Sequence, residues 1–297
     1  MRGLVKQAAL LFVMALAMII CAGCASDEPT TANTQTLDPD SPSAKVIEDL
    51  EAFSFEGYEN PLFDGSDEPD LSKVSDEEYA EYLAMFESFD YEIVDETIKG
   101  DTADVKVRIS TYPFGGVIDD LMDGALSGTV SEELDDAETV KMLIDSLVAC
   151  SEMSYQKTVT IHCAKSDGEW STDANVENED LCNAVSGGYI ERAIAWKEWL
   201  ESATPFIGVW YAVGIEYEGT VMSPDEAGLD FEVDIAPDGT MQAFTNGEDD
   251  GAGEWTVQGE FIYITDSTGA EMYGNMDGEY LVIDFGDDFV VTLEKYE

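Results

Sequence analysis

One histidine occurs in the 297 residues, and it stands in an alternating run. The run is Thr158-Val159-Thr160-Ile161-His162-Cys163. Its period of two predicts a strand with His162 on the face of Thr158 and Thr160. Inside a cavity, beside an Asp, this imidazole would be a general acid or base. On the open face of a sheet it would be a partly exposed surface residue. A second run, Val105-Lys106-Val107-Arg108-Ile109, sets Lys106 and Arg108 opposite three apolar residues. These cations either pair with neighbouring acids or form an anion-binding patch. Beyond residue 23 the chain has only two arginines, Arg108 and Arg192. Cys150, Cys163 and Cys182 include no Cys-x-x-Cys, which argues against a zinc site. The apolar neighbours of Cys150 and Cys163 predict buried, inert thiols. Export permits one disulfide among the three, and spacing does not choose the pair. Asp249-Asp250 and Asp287-Asp288 fall at turns, where carboxylates can cradle Ca²⁺, but no Asp-x-Asp-x-Asp-Gly loop accompanies them. The expectation is therefore no catalytic residue, no cofactor and no metal.

The charge balance bounds the partners. The whole chain carries −52, and its first 23 residues hold Arg2, Lys6 and no acid. The remainder carries 65 acids against 11 bases. Such a chain repels nucleic acid and anionic membrane surfaces. It is either a solvated acidic shell or a surface that recruits divalent cations or basic partners.

Two kinds of element must position the residues above. Up to about residue 203, helices alternate with paired strands. Helices are expected at Ala44–Phe55, Asp76–Phe89, Val117–Leu126, Ser131–Cys150, Leu181–Val185 and Ile190–Ser202. Ser75 with Glu78 reads as a capping box, and Glu133 and Asp135 suit a first helical turn. Tyr79, Tyr82, Leu83 and Phe86 make one apolar stripe. Strands are expected at Tyr91–Ile98, Thr102–Ser110, Tyr155–Lys165 and Glu169–Ala174, with Gly100-Asp101 and Ser166-Asp167-Gly168 as turns. This order predicts an α+β layer fold. From Thr204-Pro205 onward no long helical period occurs. Eight short alternating runs recur instead: 208–217, 229–236, 240–245, 253–257, 261–265, 271–275, 280–285 and 289–295. They predict an all-β meander closed into a barrel or sandwich.

The segments "YEIVDETIKGDTADVKVRIS", "KTVTIHCAKSDGEWSTD" and "NEDLCNAVSGG" resemble nuclear-transport-factor-two-like domains of bacterial lipoproteins. That resemblance covers roughly 45–190 and implies a cone of helices on a curved antiparallel sheet. Enzymes on this cone place Asp, His or Tyr side chains in its cavity, but the matching motifs are structural and fold alone does not give function. The segments "GVWYAVGIEYEGTVMSP", "DGTMQAF", "GEWTVQGEFIYIT" and "DFVVTLEK" resemble the lipocalin-like domains at the ends of bacterial lipoproteins, over about 206–297. The resemblance implies that Trp210 of Gly208-x-Trp210 plugs the closed end of a barrel.

The amino-terminal stretch "MIICAGCASDEPTT" sets the location. Arg2 and Lys6 precede an apolar run from Ala8 to Ile20, of signal-peptide length and short for a membrane span. Ala22-Gly23-Cys24 resembles the lipobox of bacterial lipoproteins, with Cys21 where Leu is usual. The resemblance implies cleavage before Cys24 and acylation of its thiol, and two or three acyl chains anchor durably. A signal peptide over 1–23, a tether over 24–44 and folded domains over 45–203 and 204–297 are expected. The functional expectation is a lipid-anchored binding or scaffold protein on the extracytoplasmic face of the cell membrane, without catalytic activity. The rivals are a carrier of a small apolar ligand and a cone-domain enzyme. A pocket inventory separates them: no cavity for a scaffold, an apolar cavity for a carrier, and a cavity holding His162 and a carboxylate for an enzyme.

Overall fold

A computed structural model describes residues 38–56, 58, 70–130 and 134–296. Cys24, the lipobox and most of the expected tether lie outside the described residues, as does Glu133. The described chain divides into two compact units. One comprises 38–122 and 134–195; the other comprises 123–130 and 196–296.

The first unit is α+β. Helix α1 (Pro42–Glu51) starts at Ser41, whose hydroxyl accepts from the Ala44 amide, with Pro42 in the first turn. It ends four residues before the expected Phe55. A continued helix would hold Phe53 and Phe55 on opposite faces. The irregular chain instead packs their rings edge to face at 5.3 Å and sets Phe55 5.5 Å from Phe86. Helix α2 (Asp76–Phe86) carries the expected capping box: the Ser75 hydroxyl accepts from Glu78, and the Glu78 carboxylate accepts from the Ser75 amide. Strands β1 (Asp90–Lys99) and β2 (Thr102–Thr111) form a hairpin over Gly100-Asp101.

Helix α3 (Phe114–Leu126) begins three residues before the expected Val117. Phe114 is fully buried and stacks on Phe86 at 5.4 Å, which fixes that first turn. Helix α4 (Asp136–Val148) begins later than expected, because Asp135 is its N-cap and not part of its first turn. Strands β3 (Tyr155–Ser166) and β4 (Glu169–Thr172) complete a curved antiparallel sheet in the order β1-β2-β3-β4. Its inner face, with Val105, Val107, Ile109, Val159, Ile161 and Cys163, is covered by helices. Helix α5 (Glu179–Val185) stops at Gly187-Gly188, and helix α6 (Tyr189–Ala203) follows. The Gly187 carbonyl accepts from Gly115 N–H at 3.0 Å. Added as a side chain, a Cβ on Gly187 would lie 2.0 Å from the Tyr112 carbonyl, so backbone packs on backbone there.

The second unit is a closed barrel of eight antiparallel strands. In chain order they are β5 (Gly208–Tyr217), β7 (Phe231–Ile235), β8 (Thr240–Thr245), β9 (Glu248–Gln258), β10 (Phe261–Asp266), β11 (Glu271–Asp277), β12 (Tyr280–Asp284) and β13 (Phe289–Lys295). Pairing of β13 with β5 closes it, which gives an up-and-down, lipocalin-like barrel. All eight expected strands are present. Two elements were not anticipated: β6 (Thr220–Met222), paired outside β5, and the one-turn helix α7 (Pro224–Ala227). Strand β9 begins five residues before the expected Gly253. Asn246 and Gly247, both at positive φ, make a two-residue hairpin turn, so Glu248 to Asp250 enter the strand.

Candidate functional site

The uncovered face of the first sheet holds the three residues singled out for chemistry. Its cross-strand rows are Glu92–Arg108–Thr158, Asp95–Lys106–Thr160 and Thr97–Asp104–His162. Each of the three meets a carboxylate. Arg108 Nη1 lies 2.5 Å from Glu92, and Lys106 Nζ lies 3.7 Å from Asp95. His162 Nδ1 lies 2.8 Å from Asp104 Oδ1, while its backbone N–H donates to Asp173. The expected pairing of Lys106 and Arg108 with acids is what the sheet builds. An anion would meet these cations already neutralised. The His162 side chain is 67 % exposed. It has its Asp, but on an open sheet face and not within a cavity. No low-dielectric surroundings hold that pair away from bulk water.

A groove of about 440 Å³ runs beside α4. Its cations are also paired: Lys73 with Asp135 and Glu138, Lys141 with Asp145 and Glu78. Glu78 serves two partners at once. The Lys141 hydrogen bond, then the Ser75 hydroxyl and amide, draw its carboxyl from 4.5 down to about 2.

The barrel interior is filled. Phe231, Val233, Ile235, Trp255, Ile262 and Leu281 are among the side chains packed there. Trp210 is buried at the barrel's end, its indole N–H donating to the Phe206 carbonyl at 2.7 Å. The Lys295 ammonium lies 5.1 Å from its ring centroid. Trp210 is thus a plug, as the Gly-x-Trp signature implied. A solvent-open depression of about 730 Å³ is lined by Glu216, Glu218, Asp284, Asp287 and Asp288. Asp249 is engaged by Gln242 and the Gly251 amide, and Asp250 by Thr245. Among the described residues no group of three or more His, Cys, Asp or Glu is arranged to hold a metal ion.

All three described cysteines are free thiols. Burial pushes Cys163 and Cys182 up to about 12, so neither supplies a thiolate at neutral pH. Cys150 is only half-buried, less enclosed than its apolar neighbours suggested.

One feature escaped the sequence. The hydroxyls of Tyr82 and Tyr189 are buried without a hydrogen-bond partner. Their rings flank Phe86 at 5.8 and 6.1 Å. Tyr82 was legible as a core residue from its stripe, but nothing in the sequence shows that a hydroxyl lacks an acceptor. Compared with known proteins, the chain matches no family model, no curated protein and no solved structure.

Proposed function

We propose that this is a lipid-anchored extracytoplasmic protein that works by presenting its outer surfaces to a partner, without catalysing a reaction. The observation that carries this reading is the filled barrel: its interior is side chains, and its charged residues face outward. The open-face placement of the His162–Asp104 pair supports it as well. The anchor rests on Cys24 within Ala22-Gly23-Cys24 and its preceding apolar run, and the cone resemblance of the first unit remains part of the proposal. Two measurements test the reading. Metabolic labelling with an acyl probe should mark the wild-type protein and leave Cys24→Ala unlabelled and uncleaved; equal labelling and equal mature mass would refute the anchor. Titration with anilinonaphthalene sulfonate should show no saturable uptake; stoichiometric, saturable uptake would refute surface presentation.

A carrier reading has one observation in its favour. The buried, unpartnered hydroxyls of Tyr82 and Tyr189 lie within an aromatic interior. An apolar ligand with a polar tip would satisfy them, as would a buried water.

A further inference from the structure

Seven residues from seven strands form one row across the outside of the barrel. Strand register runs from Asp277 to Tyr280, to Glu294, to Tyr211, to Glu232, to Phe244 and to Asp249. Carboxylates and rings alternate along it without interruption. Direct cross-strand partners sit about 5 Å apart at Cβ, so each ring is flanked by an acid on either side. Tyr280 is 43 % exposed, and Tyr296, at 71 %, packs on Tyr211 at 5.6 Å and widens the aromatic part. Among the described residues, none of the row's four carboxylates forms an ion pair. From residue 204 onward the chain has 22 acids and one base, Lys295. That lysine points to the Pro205 carbonyl and the Trp210 ring.

Asp249 already accepts from Gln242 and the Gly251 amide, but no cation neutralises any of the four carboxylates among the described residues. The exposed Tyr280 ring between Asp277 and Glu294 suits a guanidinium. The planar cation stacks on the ring face and forks to a carboxylate at the same time. A lysine ammonium matches the charge but not both contacts. An anionic segment is repelled, and an apolar one would strip water from the acids without replacing it. We propose that this row is the docking surface for an extended, arginine-bearing polypeptide segment. The inference rests on the surface-presentation reading and names its partner chemistry.

The test uses the chain from Ala25 and two fluorescent Gly/Ser peptides, one with arginine and one with lysine at every third position. Anisotropy titration at low salt should show the arginine peptide binding more tightly. Glu232→Gln with Glu294→Gln should weaken it about tenfold, the sum of two modest charge contacts. Glu254→Gln with Glu271→Gln removes the same charge from another outer row, flanking Thr265, and should cost less than about twofold. Equal affinity for the two peptides, equal weakening by the two variants, or no binding would overturn the proposal. Native mass spectrometry of the same sample separates the two failures. No binding with a bare mass sinks the docking row alone. No binding with a carried ligand mass sinks surface presentation as well.

Discussion

Replacing Gly187 with alanine should be among the most damaging single changes in the first unit. Two independent costs combine there. The residue sits at φ +62°, where an L side chain costs about 1–2 kcal/mol. Its new Cβ would lie 2.0 Å from the Tyr112 carbonyl oxygen and 3.0 Å from the Phe114 amide nitrogen. Both obstacles are backbone, so no rotamer change relieves them. Forcing the segments apart strains well-packed structure, at about 1–3 kcal/mol. It also disturbs the Gly115-to-Gly187 hydrogen bond, for about 1 kcal/mol more. The expected total is about 3–6 kcal/mol, against a net stability of about 5–15 kcal/mol for a domain. Two further variants separate the terms. Gly100 has φ +66° with nothing within 4 Å, so Gly100→Ala should carry only the conformational cost. Gly116 is exposed in α3 with open space around it, so Gly116→Ala should stabilise by about 0.5–1 kcal/mol. Urea-dependent hydrogen exchange, read by mass spectrometry on peptides from β2 and β3, measures all three within the first unit. A Gly187→Ala loss within about 1 kcal/mol of Gly100→Ala would refute the backbone-contact reasoning.

Three other outcomes follow from the geometry. Trp210→Ala should lower barrel stability by about 3–5 kcal/mol, because it empties a buried indole site and orphans the Phe206 carbonyl; a thermal midpoint unchanged from wild type would contradict the plug. Glu78 has a folded-state carboxyl drawn below its unfolded value, so its contribution is complete above about 4.5 and fades as pH falls toward about 2. Glu78→Gln should flatten the acid limb of the urea midpoint against pH across that window, and superimposable limbs would count against the Lys141 and Ser75 partnership. A thiol reagent at neutral pH should modify Cys150 first and reach Cys163 and Cys182 only after denaturant is added; native-state labelling of Cys163 at a free-thiol rate would contradict its burial.

The fold was legible wherever a local signal sufficed. Ser75 with Glu78 specified a helix start, and period-two runs specified all eight barrel strands, although the tight Asn246-Gly247 hairpin carries Glu248 to Asp250 into a strand where the sequence suggested a longer turn. Misses arose where a distant contact set the boundary. Phe53 and Phe55 leave their helix because Phe86 and Phe89 wait elsewhere. Ser223-Pro-Asp-Glu226 is a capping box, and it starts the one-turn helix α7 within a stretch that otherwise reads as strands and turns. Site chemistry was less legible than fold. Alternation placed Lys106 with Arg108, and His162 with Thr158 and Thr160, on the polar faces of their own strands, but only strand register joins the two faces and supplies Glu92, Asp95 and Asp104 as partners. The outer row of acids and rings is drawn from seven strands, and no two of its members are neighbours in sequence. It becomes visible only once the barrel closes.

The claim that function lies on the outer surface, around a barrel filled by its own side chains, is tested most directly by native mass spectrometry. The chain from Ala25 would be secreted and purified gently. A bare mass, unchanged on denaturation, is the predicted result. A reproducible extra mass that leaves on denaturation would contradict it and make this protein a carrier.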